Sequence, residues 1–505
     1  MALKKMSKTL MWYPFKEGSS VLEADISALP PKEDKFDYII FDDLVYKNGL
    51  LNSIELLKNN LKENGRFIVA LDNKFALRFF AGNPENILGQ KFQSFTGYNG
   101  APEKIYTYTK NEIRKILQKS GFNYRFYYPL PDYRKPNVIF TDEQPPEYAT
   151  VDKYDPYYCK NSDILFSEVN VLREILKTDR EAFSFFANSF IVEICPLEVD
   201  KTFNYISFNN LRRKEYQLIT KISNDYVEKQ CVSEAAEKHL ENIKENIKIL
   251  ENTGLKTPDY IENGKIKSRY IEQKYLFDNV LIEKLKSEDR QSFFDLIDKY
   301  FEIITKDSYR ENDYQKTVFA KYGVESDNPQ IIDGLHFLEN GLWDLVFKNC
   351  FFKDGEFLVF DQEWNERALP AEFILYRSII YTKSLHKFVS ADKLFEKYRL
   401  GKYVDLFKKL DEELQKNIRD EEIWAYYSRV PYFDIDATKQ EMINLGIRSH
   451  NQALENENLK STVELLQNQL DFKTSENERL TAELNKTAKY IFKRILRKFG
   501  LRRTK

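Results

Sequence analysis

Two segments near the middle of the chain decide its interpretation: Trp343-Asp344-Leu345-Val346-Phe347-Lys348-Asn349 and Phe357-Leu358-Val359-Phe360-Asp361-Gln362-Glu363-Trp364. Asp344 and Asn349 are five residues apart, and Asp361 follows twelve residues later, at the end of an apolar run. Between the two segments, Lys353-Asp354-Gly355-Glu356 is typical of a hairpin turn between two short buried strands. The sequence therefore predicts a strand–turn–strand unit that carries two carboxylates and one amide.

The spacing of Asp344 and Asn349 resembles the catalytic loop of kinases, and the apolar strand that ends in Asp361 resembles their metal-binding strand. Leu342-Trp343 stands where protein kinases have a His, and Gln362-Glu363 replaces their Phe-Gly. These departures are more similar to aminoglycoside and small-molecule kinases. The resemblance implies that Asp344 is catalytic and that Asn349 and Asp361 bind Mg²⁺. The alternative is a β-hairpin with capping polar residues.

The composition limits the protein class. A chain of 505 residues is too long for one core and suggests two or three domains. Its 42 % apolar and 15 % aromatic residues exclude a disordered chain, and a net charge of −2 gives no bias toward nucleic acid. We expect neither a membrane span nor a secretory signal. The cysteines are scattered and fit a reducing cytosol rather than a zinc site or a disulfide framework: Cys159, Cys195, Cys231 and Cys350.

Residues 1–150 alternate strand and helix patterns, which predicts a parallel α/β sheet. The predicted elements are strands at Phe36–Phe41, Arg66–Leu71 and Tyr124–Tyr128, and helices at Leu50–Leu61, closed by Asn64-Gly65, and Lys110–Ser120. The segments Phe36-Asp37-Tyr38-Ile39-Ile40, Leu61-Lys62-Glu63-Asn64-Gly65-Arg66 and Asn73-Lys74-Phe75 resemble the C-terminal half of class I S-adenosylmethionine methyltransferases.

One feature of the methyltransferases, their glycine-rich turn, is missing from this sequence. Methyltransferases carry a glycine-rich turn after their first strand, whereas here no glycine occurs between Gly18 and Gly49. Side-chain Cβ atoms would then occupy the space of the cofactor. We therefore interpret residues 1–150 as a shortened, inactive methyltransferase-like domain. A plain α/β module is the simpler alternative, and it also predicts no cofactor binding.

A proline-dense stretch, residues 129–160, is predicted to be a linker or extended packing segment. We expect a second domain, kinase-like and two-lobed, over residues 151–432. Ser189–Cys195 is its first strand candidate, and Phe203–Phe208 and Tyr216–Ile222 form a predicted hairpin. Tyr226–Lys229 follows as a third strand, and Ser233–Leu250 as a helix with Ser233 as N-cap.

This order resembles the N-lobe of a kinase, which implies that Lys229 binds the nucleotide phosphates. A solvated edge-strand lysine is the alternative. The hairpin turn lacks the usual phosphate-loop glycines, so Arg212 and Arg213 are candidates to bind phosphate through their side chains, unless the turn is simply a solvated tip. The helix offers three possible partners for Lys229, and sequence does not choose among them: Glu237, Glu241 and Glu245. Mostly helical sequence to Arg429 predicts a C-lobe.

Residues 438–488 are predicted to form a coiled coil. Their a and d positions hold, in chain order, Asn456, Leu459, Val463, Leu466, Leu470, Lys473, Asn477, Leu480 and Leu484. A single helix packed on the C-lobe is the alternative. The last segment, residues 489–505, has eight Lys or Arg and no acid, and its apolar residues gather on one helical face. That pattern is typical of a helix lying on an anionic membrane, and a nucleic-acid tail would not need the apolar face.

The module order as a whole is similar to the bacterial methyltransferase–kinase family that terminates O-antigen polysaccharide chains. The residues that carry this resemblance best are Asp344, Asn349, Asp361-Gln362-Glu363-Trp364 and Pro370–Arg377. It implies an ATP- and Mg²⁺-dependent kinase that phosphorylates a sugar hydroxyl of a lipid-linked glycan. It also implies that the protein is a peripheral protein at the cytoplasmic face of the cell membrane. There it would form a homo-oligomer and recruit a glycosyltransferase. The alternative is a non-catalytic scaffold that recruits glycosyltransferases.

Overall fold

The computed structural model describes residues 9–25, 29–147, 165–251, 253, 255–423 and 435–498. The chain divides into two compact units, residues 1–432 and 433–505. Some predictions fall outside the described residues: the environment of Cys159, most of the second half of the predicted linker, the end of the predicted C-lobe, and tail residues 499–505.

The first unit is a mixed α/β structure built on one eleven-stranded sheet. Its strands in chain order are β1 Val21–Glu23, β2 Phe36–Phe41, β3 Leu61–Asp72, β4 Asn123–Leu130, β5 Val138–Thr141, β6 Ser189–Cys195, β7 Tyr205–Phe208, β8 Leu218–Ile222, β9 Tyr226–Cys231, β10 Asp259–Glu262 and β11 Lys265–Arg269. Across the sheet the order is β1-β2-β3-β6-β4-β5-β7-β8-β9-β11-β10. Short two-stranded pairs follow: β12 Phe337–Leu338 with β17 Leu369–Pro370, β13 Gly341–Leu342 with β16 Asn365–Glu366, and β14 Cys350–Lys353 with β15 Glu356–Val359.

Helices cover the sheet and form most of the part that follows it. In chain order they are α1 Asp43–Asn48, α2 Leu50–Leu57, α3 Leu77–Phe80, α4 Gln93–Thr96, α5 Lys110–Lys119, α6 Glu168–Thr178, α7 Phe183–Phe186, α8 Glu237–Glu251, α9 Phe277–Lys286, α10 Arg290–Thr305, α11 Val318–Lys321, α12 Ala371–Tyr381, α13 Ala391–Lys397, α14 Val404–Ile418 and α15 Ile435–Lys498. Thr109 and Glu112 cap α5 with a reciprocal capping box.

The first part of the sheet corrects the expectation of a parallel sheet. Strands β1, β2 and β3 are parallel, but β6 lies antiparallel between β3 and β4. The sequence pattern predicts β6 as the first strand of the second domain, yet the strand lies between β3 and β4 in the first part of the sheet, and all its residues are buried. Glu193, which interrupts its apolar residues, forms an ion pair with Arg66.

One local prediction in this part was also wrong. The helix predicted to Leu61 ends at Leu57, and Asn60 donates its side-chain amide to the backbone oxygens of Pro31 and Asp34 at 2.6 and 3.0 Å. Asn64-Gly65 lies inside β3 instead of closing a helix. The proline-dense stretch, predicted to be a linker or an extended packing segment, contains β5, a fully buried strand that forms a hairpin with β4, so its described part agrees with the second alternative.

The sheet continues from the first predicted domain into the second. Val138 and Ile139 of β5 pair with Ser207 and Ile206 of β7. The core beneath this junction is also shared, since Ile206 belongs to the same buried cluster as residues of β2, β3, β4 and β6. The two predicted domains are therefore joined by one sheet and one core.

The second part of the sheet follows the predicted order. Strands β7, β8, β9, β11 and β10 are antiparallel neighbours, and α8 connects β9 to β10. Ser233 precedes the helical stretch, as predicted, although its side chain makes no capping hydrogen bond. The hairpin predicted around Asp354-Gly355 is confirmed by the pairing of β14 with β15.

The second unit is described as one continuous helix, α15, of 64 residues. It contains the predicted coiled-coil segment and the first ten residues of the predicted basic tail. Its apolar a and d side chains are exposed on the single chain: Leu459, Val463, Leu466, Leu470, Leu480 and Leu484. Within the described residues, no helix is both long and apolar enough to cross a membrane.

Candidate functional site

The end of β15 places Asp361 at the centre of a polar cluster. Asp361 has a left-handed backbone with φ of +61°, a conformation that Asp tolerates better than most residues and that is frequent at functional sites. Asp259, at the start of β10, accepts a hydrogen bond of 3.2 Å from the backbone N–H of Asp361. The backbone N–H of Phe360 donates to the oxygen of Asn349 at 3.0 Å. These two bonds fix Asp361 between the sheet and the segment that carries Asp344.

Asp344 and Asn349 lie together on the other side of this segment. The side-chain amides of Asn349 and Gln362 donate to the backbone oxygen of Asp344 at 3.1 and 3.0 Å. The amide oxygen therefore remains as the group that Asn349 can offer to a cation. The Asp344 carboxylate lies 3.6 Å from the guanidinium of Arg377, which also binds Asp411 at 2.8 Å.

Lys229 of β9 reaches this cluster from 132 positions earlier in the chain. Its ammonium forms ion pairs with Asp361 and, at 2.6 Å, with Glu363. Arg212, in the turn between β7 and β8, also forms an ion pair with Glu363. The structure thus brings together five of the predicted site residues: Lys229, Arg212, Asp344, Asn349 and Asp361.

Arg213 does not join them. Its guanidinium donates to the backbone oxygens of Arg419 and Lys416, at 3.2 and 3.4 Å, near the end of α14. The turn is shaped so that neighbouring side chains point to different elements, and the two arginines separate. Arg213 is therefore no longer a candidate for binding phosphate.

The helix α8 contributes none of the three glutamates proposed as partners of Lys229. Glu241 pairs with Lys244 at 2.6 Å, and Glu245 with Lys248 at 2.7 Å, both along the helix surface. Glu237, the third, is exposed. The partners of Lys229 are Asp361 and Glu363, so the expectation of a helix partner was wrong.

The carboxylates of the cluster differ in their pKa values. Burial raises the pKa of Asp344 to about 6, and the charges of Glu363 and Asp361 act in the same direction. Burial also raises the pKa of Asp259 to about 6. Burial alone would raise the pKa of Glu363, but Arg212 and Lys229 hold it well below its usual range. At neutral pH the carboxylate of Glu363 is therefore ionised, whereas Asp344 and Asp259 titrate near pH 6.

An aromatic stack supports the cluster from the side of α8. Trp364 stacks on His239 with ring centroids 4.5 Å apart and on Trp343 at 5.8 Å. Tyr216 contacts Trp364 edge-on at 4.9 Å. The guanidinium of Arg377 lies 4.2 Å from the ring centroid of Trp343. A cavity of about 440 Å³ adjoins this stack, between α8 and α14.

A metal ion would have few protein ligands here. Among the described residues, no group of three or more His, Cys, Asp or Glu side chains is arranged to bind a metal. Mg²⁺ in phosphoryl-transfer sites usually takes one or two protein carboxylates and completes its shell with phosphates and water. Asp361 and Asn349 carry oxygen atoms of the type that such a shared site uses.

Sequence reasoning missed three residues of this site. Glu363 and Arg377 lie in segments that carry the family resemblance, but the sequence assigns their side chains no role in the site. Asp259 and Arg377 act through contacts with residues more than 30 positions away. No local pattern identifies such contacts.

The predicted methyltransferase edge of the sheet is occupied by ion pairs. Asp72, at the end of β3, binds Arg78 at 2.7 Å and Arg134 at 2.9 Å. Burial raises the pKa of Asp42, which follows β2, to about 6. The backbone N–H of Ala24, after β1, bonds to Ile40 at 2.8 Å, so the chain runs on along the sheet at this point.

Comparisons with known proteins give only distant similarity. No protein family matches the sequence, and no curated protein matches it. A SAM-dependent methyltransferase from Thermotoga maritima, described as a possible histamine N-methyltransferase, is similar with a TM-score of 0.18 and 13 % identity, over 35 % of this chain and 63 % of that one. The plantazolicin methyltransferase BpumL, solved with a pentazolic desmethylPZN analog and SAH, gives 0.17 and 11 %, over 34 % and 56 %.

The chain therefore spans less than two thirds of the length of either methyltransferase. The similarity to SAM-dependent methyltransferases is distant and partial. The predicted membership of the O-antigen methyltransferase–kinase family stays a prediction, as do the kinase-like lobes.

Proposed function

We propose that the protein is an ATP- and Mg²⁺-dependent kinase that phosphorylates a hydroxyl group of a sugar. One observation carries the proposal: the ammonium of Lys229, on a sheet strand, meets Asp361 at the end of β15, next to Asp344 and Asn349. A phosphate-binding lysine, two carboxylates and an amide are the groups that phosphoryl transfer requires. Their convergence from distant parts of the chain supports a site more strongly than any one motif.

The surrounding elements support the same function. A five-stranded antiparallel part of the sheet, β7 to β11, with α8 between β9 and β10, matches the order of the kinase N-lobe. Lys229 lies on the third of these strands in chain order. The mainly helical region from α9 to α14 then corresponds to the C-lobe.

Each side chain has a defined role in the proposal. Lys229 and Arg212 supply positive charge for the phosphates, and Asp361 and Asn349 hold the metal. Bound Mg²⁺ would neutralise charge that develops on the transferred phosphoryl group. Asp344 orients the acceptor hydroxyl and accepts its proton, and its pKa of about 6 makes it a base that is ionised at neutral pH.

The acceptor is proposed to be part of a lipid-linked bacterial polysaccharide. This part rests on the sequence resemblance and on the C-terminal end of α15, where Tyr490, Ile491, Phe492 and Ile495 are exposed among basic residues. A basic amphipathic helix binds anionic membranes through burial of its apolar face and through attraction of its basic residues to the lipid headgroups. The proposed place is the cytoplasmic membrane face, with α15 as a homo-oligomeric coiled coil and a glycosyltransferase as a partner.

The second candidate is a non-catalytic scaffold. It is favoured by the turn between β7 and β8, which has no glycine and is fixed to α14: the backbone N–H of Arg213 donates to Ile418 at 2.9 Å, and Asp420 donates to Leu211 at 3.0 Å. A scaffold needs no nucleotide. Thermal stabilisation by Mg-ATP would therefore favour the kinase, because a ligand that binds the folded state raises its stability.

The decisive experiment for activity is a transfer assay. The full chain is incubated with Mg-ATP and candidate glycans, and the products are analysed by mass spectrometry for an added phosphoryl group. Asp344→Asn serves as the inactive control. Transfer by the wild type but not by the variant would support the kinase; absence of both nucleotide binding and transfer would favour the scaffold.

A further inference from the structure

Glu363 is the most completely buried charge of the cluster. Its side chain is 3 % exposed and forms ion pairs with Lys229 at 2.6 Å and with Arg212, and the Nε2 atom of His239 in α8 lies 3.5 Å away. Three separate elements, β9, the turn after β7 and α8, thus meet at one carboxylate. An acid that bridges both cations of a phosphate site can fix their relative position.

Asp361 has the opposite environment. Its side chain is 40 % exposed, so its ion pair with the 12 % exposed side chain of Lys229 is open to solvent on the aspartate side. A solvent-exposed ion pair is weak and easily exchanged, whereas a buried pair is costly to break from one side. When a divalent cation approaches, Lys229 can release Asp361 without losing its buried partner.

We propose, resting on the proposed kinase function, that Glu363 is the positioning residue that holds Lys229 and Arg212 at the nucleotide phosphates, while Asp361 exchanges Lys229 for the metal. The acid that anchors the phosphate-binding lysine then comes from the segment after β15, not from α8. The helix α8 contacts this segment through His239, which stacks on Trp364, and through Asn246, whose side-chain amide donates to the backbone oxygen of Gln362 at 3.0 Å.

The proposal predicts two different dependences on metal. Glu363→Asp keeps the charge but shortens the side chain by one methylene, so it can no longer bridge both cations. ATP affinity should fall by about tenfold, and by the same factor in Mg²⁺ and in EDTA. Asp361→Asn should lower only the affinity measured with Mg²⁺. Isothermal titration calorimetry of the full chain with ATP measures both.

The control is Glu366→Asp, since Glu366 pairs instead with Lys321 and Tyr322. It should leave both affinities unchanged. If Glu363→Asp lowered ATP affinity only in the presence of Mg²⁺, the proposal would be overturned, because Glu363 would then be a metal ligand. Equal affinities in the variant and the wild type would also overturn it.

A readout without nucleotide separates this proposal from the kinase function. Glu363 holds the ammonium of Lys229 in an ion pair of 2.6 Å, with both side chains largely buried. Glu363→Gln should therefore release the amine and increase the rate at which an amine-acylating reagent labels Lys229, measured by peptide mass spectrometry. Faster labelling in a protein that does not bind ATP would refute the kinase but keep the positioning role. Unchanged labelling would refute the positioning role. Circular dichroism verifies that each variant is folded.

Discussion

The side-chain amide of Asn210 donates a hydrogen bond of 2.8 Å to the backbone oxygen of Pro136. It also contacts the side-chain oxygen of Asn137 at 2.9 Å. Asn210 lies in the turn that carries Arg212, and Pro136 lies in the loop between β4 and β5. The first part of the sheet therefore supports the turn that reaches the candidate nucleotide site.

This support predicts a measurable cost for Asn210→Ala. Loss of the two hydrogen bonds should lower the free energy of unfolding by about 1–2 kcal/mol and weaken ATP binding, because Arg212 loses its fixed position. Urea denaturation and calorimetry measure the two effects. Asn417→Ala, on the exposed surface of α14, is the control. Unaltered ATP affinity in Asn210→Ala would show that the turn needs no support from the first sheet part.

The shared sheet predicts that residues 1–432 unfold as one cooperative unit. Separation at residue 198 would expose the edge of β7 and the buried side chains of Ile206 and Ile219. Residues 198–432 alone should therefore aggregate or lack a cooperative transition. Thermal unfolding followed by circular dichroism tests both statements. Two separate transitions in 1–432 would contradict the shared core.

The titration of Asp344 should make the rate of phosphoryl transfer fall at acidic pH, which gives the pH–rate profile an acidic limb. The base must be ionised, so the rate should fall as pH drops below about 6. The stability effect has the opposite sign: since the pKa is raised in the folded state, the fold loses stability as pH rises through 6. Asp344→Asn should therefore be inactive yet more stable at pH 8, by on the order of 2 kcal/mol. Denaturation at pH 5 and pH 8 measures this gain.

Asp259 provides the control for that pH profile, because its pKa is also raised to about 6. Asp259→Asn should keep the acidic limb of the rate. If the limb disappears in Asp259→Asn, the titrating group is Asp259 and the role assigned to Asp344 is wrong.

The exposed apolar side chains near the end of α15 predict membrane binding. Truncation after Thr487 should release the protein from anionic liposomes, and Ile495→Glu should weaken its binding by placing charge on the apolar face. Added salt should weaken binding only in part, since the apolar contribution is not screened. Liposome flotation measures all three. A wild-type protein that stays in solution at low salt would remove the support for a membrane-linked acceptor.

Sequence patterns were sufficient where the signal is local. The β14–β15 hairpin, β9 with Lys229 and the helix α5 follow from turn residues and apolar periodicity. The placement of β6 did not, because a buried apolar strand can pair with any suitable edge, however distant in sequence. The role of Glu363 depends on Arg212 and Lys229, more than 130 positions away, so only the tertiary structure identifies it.

The measurement that tests the central claim most directly is Mg²⁺-dependent ATP binding by two matched variants. Asp361 and Asp354 both have left-handed backbones, with φ of +61° and +53°, and Asn tolerates that conformation at either position. The account predicts that calorimetry with Mg-ATP detects binding by the wild type and by Asp354→Asn at the hairpin tip, and that Asp361→Asn loses the Mg²⁺-dependent gain in affinity. Equal Mg-ATP affinity in all three proteins, or no binding by the wild type, would contradict it.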